Sequence, residues 1–104
     1  MKLSNTETIA NQTITETLGI ARGSTVRSRN IGRDIFASLK NIVGGEIEEY
    51  TKLQADAREQ ALKRMITDAQ KLGADAVVNV RFTISVVAQG ASEMLAYGTA
   101  VKLK

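Results

Sequence analysis

EIEEYTKLQADAREQALKRMITDAQKLGADAVVNVRFTISVVA, residues 46–88, reads as one long helix that stops at a glycine and turns into a strand. Tyr50, Leu53, Ala57, Ala61, Met65, Ala69 and Leu72 recur every three or four residues, and Leu62 and Ile66 widen the stripe. Such spacing puts apolar groups on one helix face. From Glu46 to Leu72 the helix would run roughly 40 Å at 1.5 Å per residue. Glu46, Glu48 and Glu49 open it and Lys71 closes it, an order that complements the helix dipole. Glu48 with Lys52 and Glu59 with Lys63 offer i,i+4 pairs. Gly73 supplies a left-handed residue at the C-terminus. The period then changes from 3.6 to 2. Val78, Val80, Phe82, Ile84 and Val86 alternate with Asn79, Arg81, Thr83 and Ser85, which predicts a strand over 76–88.

Working outward, Gln89-Gly90-Ala91-Ser92 can turn a hairpin into a strand over 93–103. One face of that strand carries Leu95, Tyr97, Thr99, Val101 and Leu103. The other carries Ala96, Gly98 and Ala100, small enough for a helix or another subunit to approach closely. Upstream, residues 14–26 predict a strand whose Ile14, Leu18, Ile20 and Val26 face a core, with Thr15, Thr17, Ala21 and Thr25 opposite. Gly19 and Gly23 suggest a bend, a bulge or a close backbone approach. A short extended piece around Thr8 and Ile9, turned by Asn11, precedes it. A short helix is expected over 31–43, capped by Asn30, striped by Ile31, Ile35, Leu39 and Ile42, and stopped by Gly44-Gly45. The predicted fold is α+β: a two-layer β-α-α-β-β unit with an antiparallel sheet packed on one long helix. Its 104 residues fit a single domain, 1–104, large enough to bury a core without disulfides. Three strands leave open sheet edges, which invite pairing between chains, so a homo-oligomer is expected.

Cysteine and histidine are absent. That removes disulfides, thiol nucleophiles, imidazole general acids and the usual zinc ligand sets. No cofactor is expected. The lack of cysteine fits a cytoplasmic protein. No apolar run approaches a membrane span, and the first residues hold no signal core, so a soluble, unprocessed protein is expected. The net charge of +3 lies wholly in the first 45 residues, which hold six bases and three acids. Arg22, Arg27, Arg29 and Arg33 dominate it. They are spread over several elements with no aromatic interleaved, so they read as solvated or paired between subunits, and nucleic acid is not an expected partner.

The run Gly44-Gly45, Tyr50, Leu53, Ala57-Arg58-Glu59, Ala61, Met65, Ala69 and Leu72-Gly73-Ala74-Asp75-Ala76-Val77-Val78 resembles the YbjQ-like family of small bacterial proteins. Gly19-Ile20-Ala21-Arg22-Gly23, Arg33-Asp34 and Tyr97-Gly98-Thr99-Ala100-Val101 extend the likeness over residues 8–103. Family members more often carry Asn at position 75 and Gly at position 79. The resemblance implies a dodecin-like subunit, assembly into a ring-shaped homopentamer, and a heavy-metal-binding label. The label finds few ligands here, since the soft donors are Met1, Met65 and Met94 alone.

Three functional readings follow. The leading one is a non-enzymatic homo-oligomer, its closed number of five implied by the resemblance, that takes a small anionic ligand at subunit contacts. Arg33, Arg58, Arg81 and Tyr50 are its candidate ligand-binding residues. Arg58 lies beside the helix stripe and Arg81 within a strand, where each could pair with Asp34, Asp75 or Glu59 or line an anion pocket. The second reading is metal binding, as the family label suggests, although no metal-ligand residues can be assigned. The acids Glu46, Glu48 and Glu49 could hold a hard cation, but they read as dipole partners of the helix start. The third is an enzyme with an inter-subunit pocket built from Arg, Tyr and carboxylates. No catalytic residue can be named for it: Ser38-Leu39-Lys40 has the wrong spacing for a Lys-activated serine, and Gly44-Gly45 lacks a phosphate-loop fingerprint.

Overall fold

The long periodic stretch forms the helix α1, Gly45–Lys71, within a residue of its predicted limits. The computed structural model describes residues 1–27, 45–88 and 91–104, with side chains described for all of these but residues 27 and 45–53. Ala57, Ala61, Met65 and Ala69 are buried, one per turn. Gly73, at φ +80°, ends the helix as expected. The Ala74 amide donates to the Ala69 carbonyl and the Gly73 amide to that of Gln70, at 3.1 and 3.0 Å. This doubly closed turn satisfies two of the helix's orphan carbonyls. Leu72 departs from the predicted stripe and is 41% exposed, because the helix has already ended there. The short helix predicted over 31–43, with its Asn30 cap, lies outside the described residues.

Four strands make one sheet in the order β1-β3-β4-β2: β1 Lys2–Leu3, β2 Ile14–Arg27, β3 Ala76–Ala88 and β4 Ala91–Leu103. β2–β4 and β3–β4 are antiparallel, but β1 lies parallel to β3, with Lys2 opposite Ala76. The sheet is therefore mixed, which corrects the antiparallel expectation. The parallel strand follows from the N-terminal segment running back along β3. Ser4 donates to the Val77 carbonyl, Val80 to that of Ser4 and Asn79 to that of Thr6. Asn11, at φ 63°, turns the segment into β2 as expected. Ala88 pairs with Ala91, so Ala91 and Ser92 belong to the strand rather than the turn.

The face that meets the helix is the small-residue face. Ala21, Ala96 and Ala100 join Ala61, Met65, Ala69 and Val77 in one buried cluster, with Leu18, Leu62, Ala74 and Val80 at its margin. Gly23 lies against the helix backbone itself: a Cβ there would overlap the Met65 amide and the Ala61 carbonyl. Thr25 is also buried on this face, and its hydroxyl has no partner among the described residues. The predicted inward face of β2 is thus corrected, since Ile20 and Val26 point outward and are exposed. The helix packs instead on Ala21 and Gly23, where its backbone can come close. Pairing slips between Ile14 and Glu16 and between Thr17 and Gly19. Each extra residue swaps the two faces of the strand beyond it, so Leu18, between the slips, joins the helix side, whereas Ile14 and Ile20, on either side of both, share the opposite face. In β3 a single slip does exchange the faces. It falls between Val78 and Arg81, with Asn79 at φ 54°. Val78 therefore faces away from the helix, opposite Thr99, while Phe82 lies on the helix side, opposite Ala96. A left-handed conformation at position 79 is one that glycine also adopts freely.

A second cluster covers the other side of the sheet at one end. Ala76, Val78 and Val101 pack there with Ile9, Ile14 and Leu103. The N-terminal segment ends its cover at that point. Helix side chains occupy part of the β2 edge: Asp68 Oδ2 accepts from the Arg22 amide at 2.9 Å, and Arg64 Nη1 donates to the Ser24 carbonyl at 2.5 Å. Among the described residues neither protection reaches the far halves of β3 and β4.

Candidate functional site

Cross-strand register decides what the uncovered sheet face displays. Tyr97 on β4 stands opposite Arg22 on β2 and Arg81 on β3. Residues directly opposite share a face with Cβ atoms about 5 Å apart. Two arginines therefore flank one tyrosine in a row across the sheet, on the side away from α1. The next row holds Ser24, Leu95 and Thr83, and the preceding one Ile20 and Thr99. Between these rows lies a depression of about 350 Å³ lined by Ile20, Arg22, Thr83, Leu95 and Tyr97. Among the described residues its lining offers hydrogen-bond donors from a guanidinium, a phenol and a hydroxyl, and no carboxylate.

The two arginines differ in how they are held. Arg81 Nη1 donates to the Asn5 carbonyl at 2.9 Å and to the Val80 carbonyl at 3.0 Å, which fixes its charge at the rim. Arg22 is anchored through its backbone to Asp68, and its guanidinium has no ion-pair partner among the described residues. The ion pair found among those residues joins Lys102 to Asp75 at 4.0 Å, with both groups well exposed. A pair of that kind contributes little.

Of the four residues singled out from the sequence, Arg81 alone stands in this row. Arg58 is an exposed residue of α1, which packs on the opposite side of the sheet, so the two are not brought together. Arg33 and the Tyr50 side chain lie outside what the structure describes, as do Asp34 and the acids Glu46, Glu48 and Glu49. Asp75 does not pair with either arginine: its Oδ2 accepts from the Leu103 amide at 2.9 Å. Arg22, Tyr97 and Thr83 were missed as a group. Arg22 read as one of a set solvated or paired between subunits, and Tyr97 as one residue of a strand face. The signal that unites them is strand register, which bulges had obscured.

The described residues contain no group of three or more His, Cys, Asp or Glu side chains placed to hold a metal. Met65 is fully buried and Met94 nearly so, both as core packing. No described helix is long and apolar enough to cross a membrane.

Comparison with known proteins adds a family and a fold. Residues 1–104 match the YbjQ family model, whose description is "putative heavy-metal-binding". A UPF0145 protein of Halorubrum lacusprofundi is 59% identical over 104 residues, covering 100% of both chains. One from Archaeoglobus fulgidus is 60% identical over 102 residues, covering 98% of this chain and 94% of its own. One from Photobacterium profundum is 59% identical over 98 residues, covering 94% and 95%. Archaeal relatives correct the expectation of a purely bacterial family. A crystal structure of a protein of unknown function in the DUF74 family, from Pediococcus pentosaceus, superposes with a TM-score of 0.64. It is 14% identical, covers 100% of this chain and 98% of its own, and supports the α+β fold.

Proposed function

The chain belongs to the YbjQ-like, UPF0145 family, and on that premise we propose that it is a non-enzymatic cytoplasmic protein that closes into a homo-oligomer of five copies and takes a small anion at subunit contacts. The observation that carries this reading is the uncovered half of the β3–β4 hairpin. Phe82, Ile84 and Val86 are 43, 62 and 78% exposed on one side of β3, and Val87 is exposed on the other. The Val80 amide turns outward to Ser4. Alternation along the ladder gives Phe82, Ile84 and Val86 the same outward-facing backbone groups. A strand edge with apolar side chains on both faces is a template for another strand. A second copy supplies such a strand and such apolar faces together. Closing the edges around a ring satisfies all copies equally, which an open dimer does not. Five is the number the family resemblance implies. The absence of histidine and cysteine supports a role without acid–base or thiol chemistry.

Light scattering on untagged protein at micromolar concentration tests this. The expected species has about five times the 11.2 kDa chain mass. Ile84→Lys, which places a charge on the open edge, is expected to shift it to smaller species, since charged edges resist pairing. A stable wild-type monomer would sink the reading.

The family's heavy-metal description does not fit the donors of this chain. Thiolate and imidazole are the ligands that zinc, copper, nickel and cadmium favour, and the sequence has neither. Two of its three thioethers are packed into the core. Calorimetric titration of untagged protein with each of these ions is expected to show no stoichiometric binding in the micromolar range. Saturable zinc binding at one ion per chain would reverse that conclusion.

A further inference from the structure

We propose that Arg22, Tyr97 and Thr83 form a binding site for a small organic anion, with a phosphate or carboxylate head against the guanidinium and an apolar group along Ile20 and Leu95. This names the ligand contact of the assembly described above and rests on that reading for one of its arguments.

The first argument is geometric. Arg22 and Tyr97 are direct cross-strand partners, Thr83 is the partner of Leu95 one row on, and all line the same depression of about 350 Å³. That space suits a ligand of several heavy atoms. The donors converge without an acceptor of matching charge. A guanidinium presents a planar fork suited to two oxygens of one head group, and two hydroxyls beside it complete the shell. Ile20 and Leu95 give the depression an apolar wall, so a bare ion would leave part of it unfilled.

The second argument is electrostatic. Among the described residues no carboxylate lines the depression, and Glu93 stands opposite Val26, two rows from Arg22 on β4's register. Arg81 adds a second fixed positive charge on the far side of Tyr97. The Arg22 backbone cannot drift from this position, because Asp68 of α1 holds its amide. The third argument uses assembly. A copy packed on this face would remove Arg22 from water. A guanidinium taken out of water without a counter-charge is costly, and the acid that the register places on this face, Glu93, stands two rows away. An anion bound between copies supplies that charge.

Calorimetry with phenyl phosphate on untagged protein tests the site. Inorganic phosphate serves as the head group alone and benzoate as the carboxylate arm, with light scattering on the same samples. Phenyl phosphate is expected to saturate at one per chain and to bind more tightly than inorganic phosphate. Comparison with benzoate tells which head the site prefers. Arg22→Gln keeps the amide bond to Asp68 and is expected to weaken binding at least about tenfold, the loss of a charge-assisted hydrogen bond. Arg22→Lys is expected to recover part of it, since a point charge cannot form the bidentate contact. Arg58→Gln, on the other side of the sheet, is expected to bind like the wild type. An assembled protein that shows no saturable binding of any of the three probes overturns the site and leaves the assembly standing. A monomer that binds phenyl phosphate through Arg22 supports the site and overturns the assembly. Equal affinity in wild type and Arg22→Gln overturns the site in either case.

Discussion

Gly23→Ala is expected to cost this protein about 3 kcal/mol or more, the upper end for an added methyl in a packed core. The reason is what the methyl would meet. At most core positions an added carbon presses on side chains, which can rotate. At Gly23 it meets the main chain of α1 at Ala61, Arg64 and Met65. The helix must then lift from β2 as a body, which would loosen Ala21, Ala61 and Met65 together. For a domain of this size such a loss lowers the thermal midpoint by about 12 °C or more. Thermal and urea unfolding followed by circular dichroism measure it. An unchanged midpoint would mean that α1 does not lie against β2 at this point.

Ala61→Asp is expected to do at least as much. Ala61 is fully buried between α1 and the sheet. An aspartate there brings a carboxylate into a site lined by Ala21, Met65 and Ala96, none of which can donate from its side chain. Leaving a buried charge without a partner costs about 3–5 kcal/mol. That is comparable to the whole stability of many small domains, about 5–15 kcal/mol, so loss of the cooperative transition is the expected outcome. Leu72→Asp makes a sharp comparison, because Leu72 belongs to the same stripe in the sequence. It is 41% exposed in the structure, and its substitution is expected to stay within about 0.5 kcal/mol. Equal damage from both would return Leu72 to the core and contradict the helix end at Gly73.

The chain's local grammar was legible. Helix limits, the Gly73 stop, the Asn11 turn and the three long strands follow from periodicity and backbone preference, which depend on residues within a few positions of one another. The β1 strand was not legible. Two residues carry no period, and Lys2–Leu3 becomes a strand because β3 offers it an edge.

Which sheet face would be buried was not written in the sequence either. Alternation says that a strand has two unlike faces, and the larger apolar set is the natural guess for the core. In β2 that guess fails at Ile20 and Val26. The helix packs instead on Ala21 and Gly23, where its backbone can come close, and the large side chains are left facing outward. The candidate site shows the same division. Arg22, Tyr97 and Arg81 can each be read off the sequence as residues with binding chemistry. Their alignment in one row depends on pairings between strands up to 75 positions apart, and on register shifts near Gly19 and Asn79. The sequence by itself determined the elements, because those answer to short-range forces. Only the tertiary structure decided which face met the helix and which arginines met the tyrosine, because close approach and register are settled between distant segments.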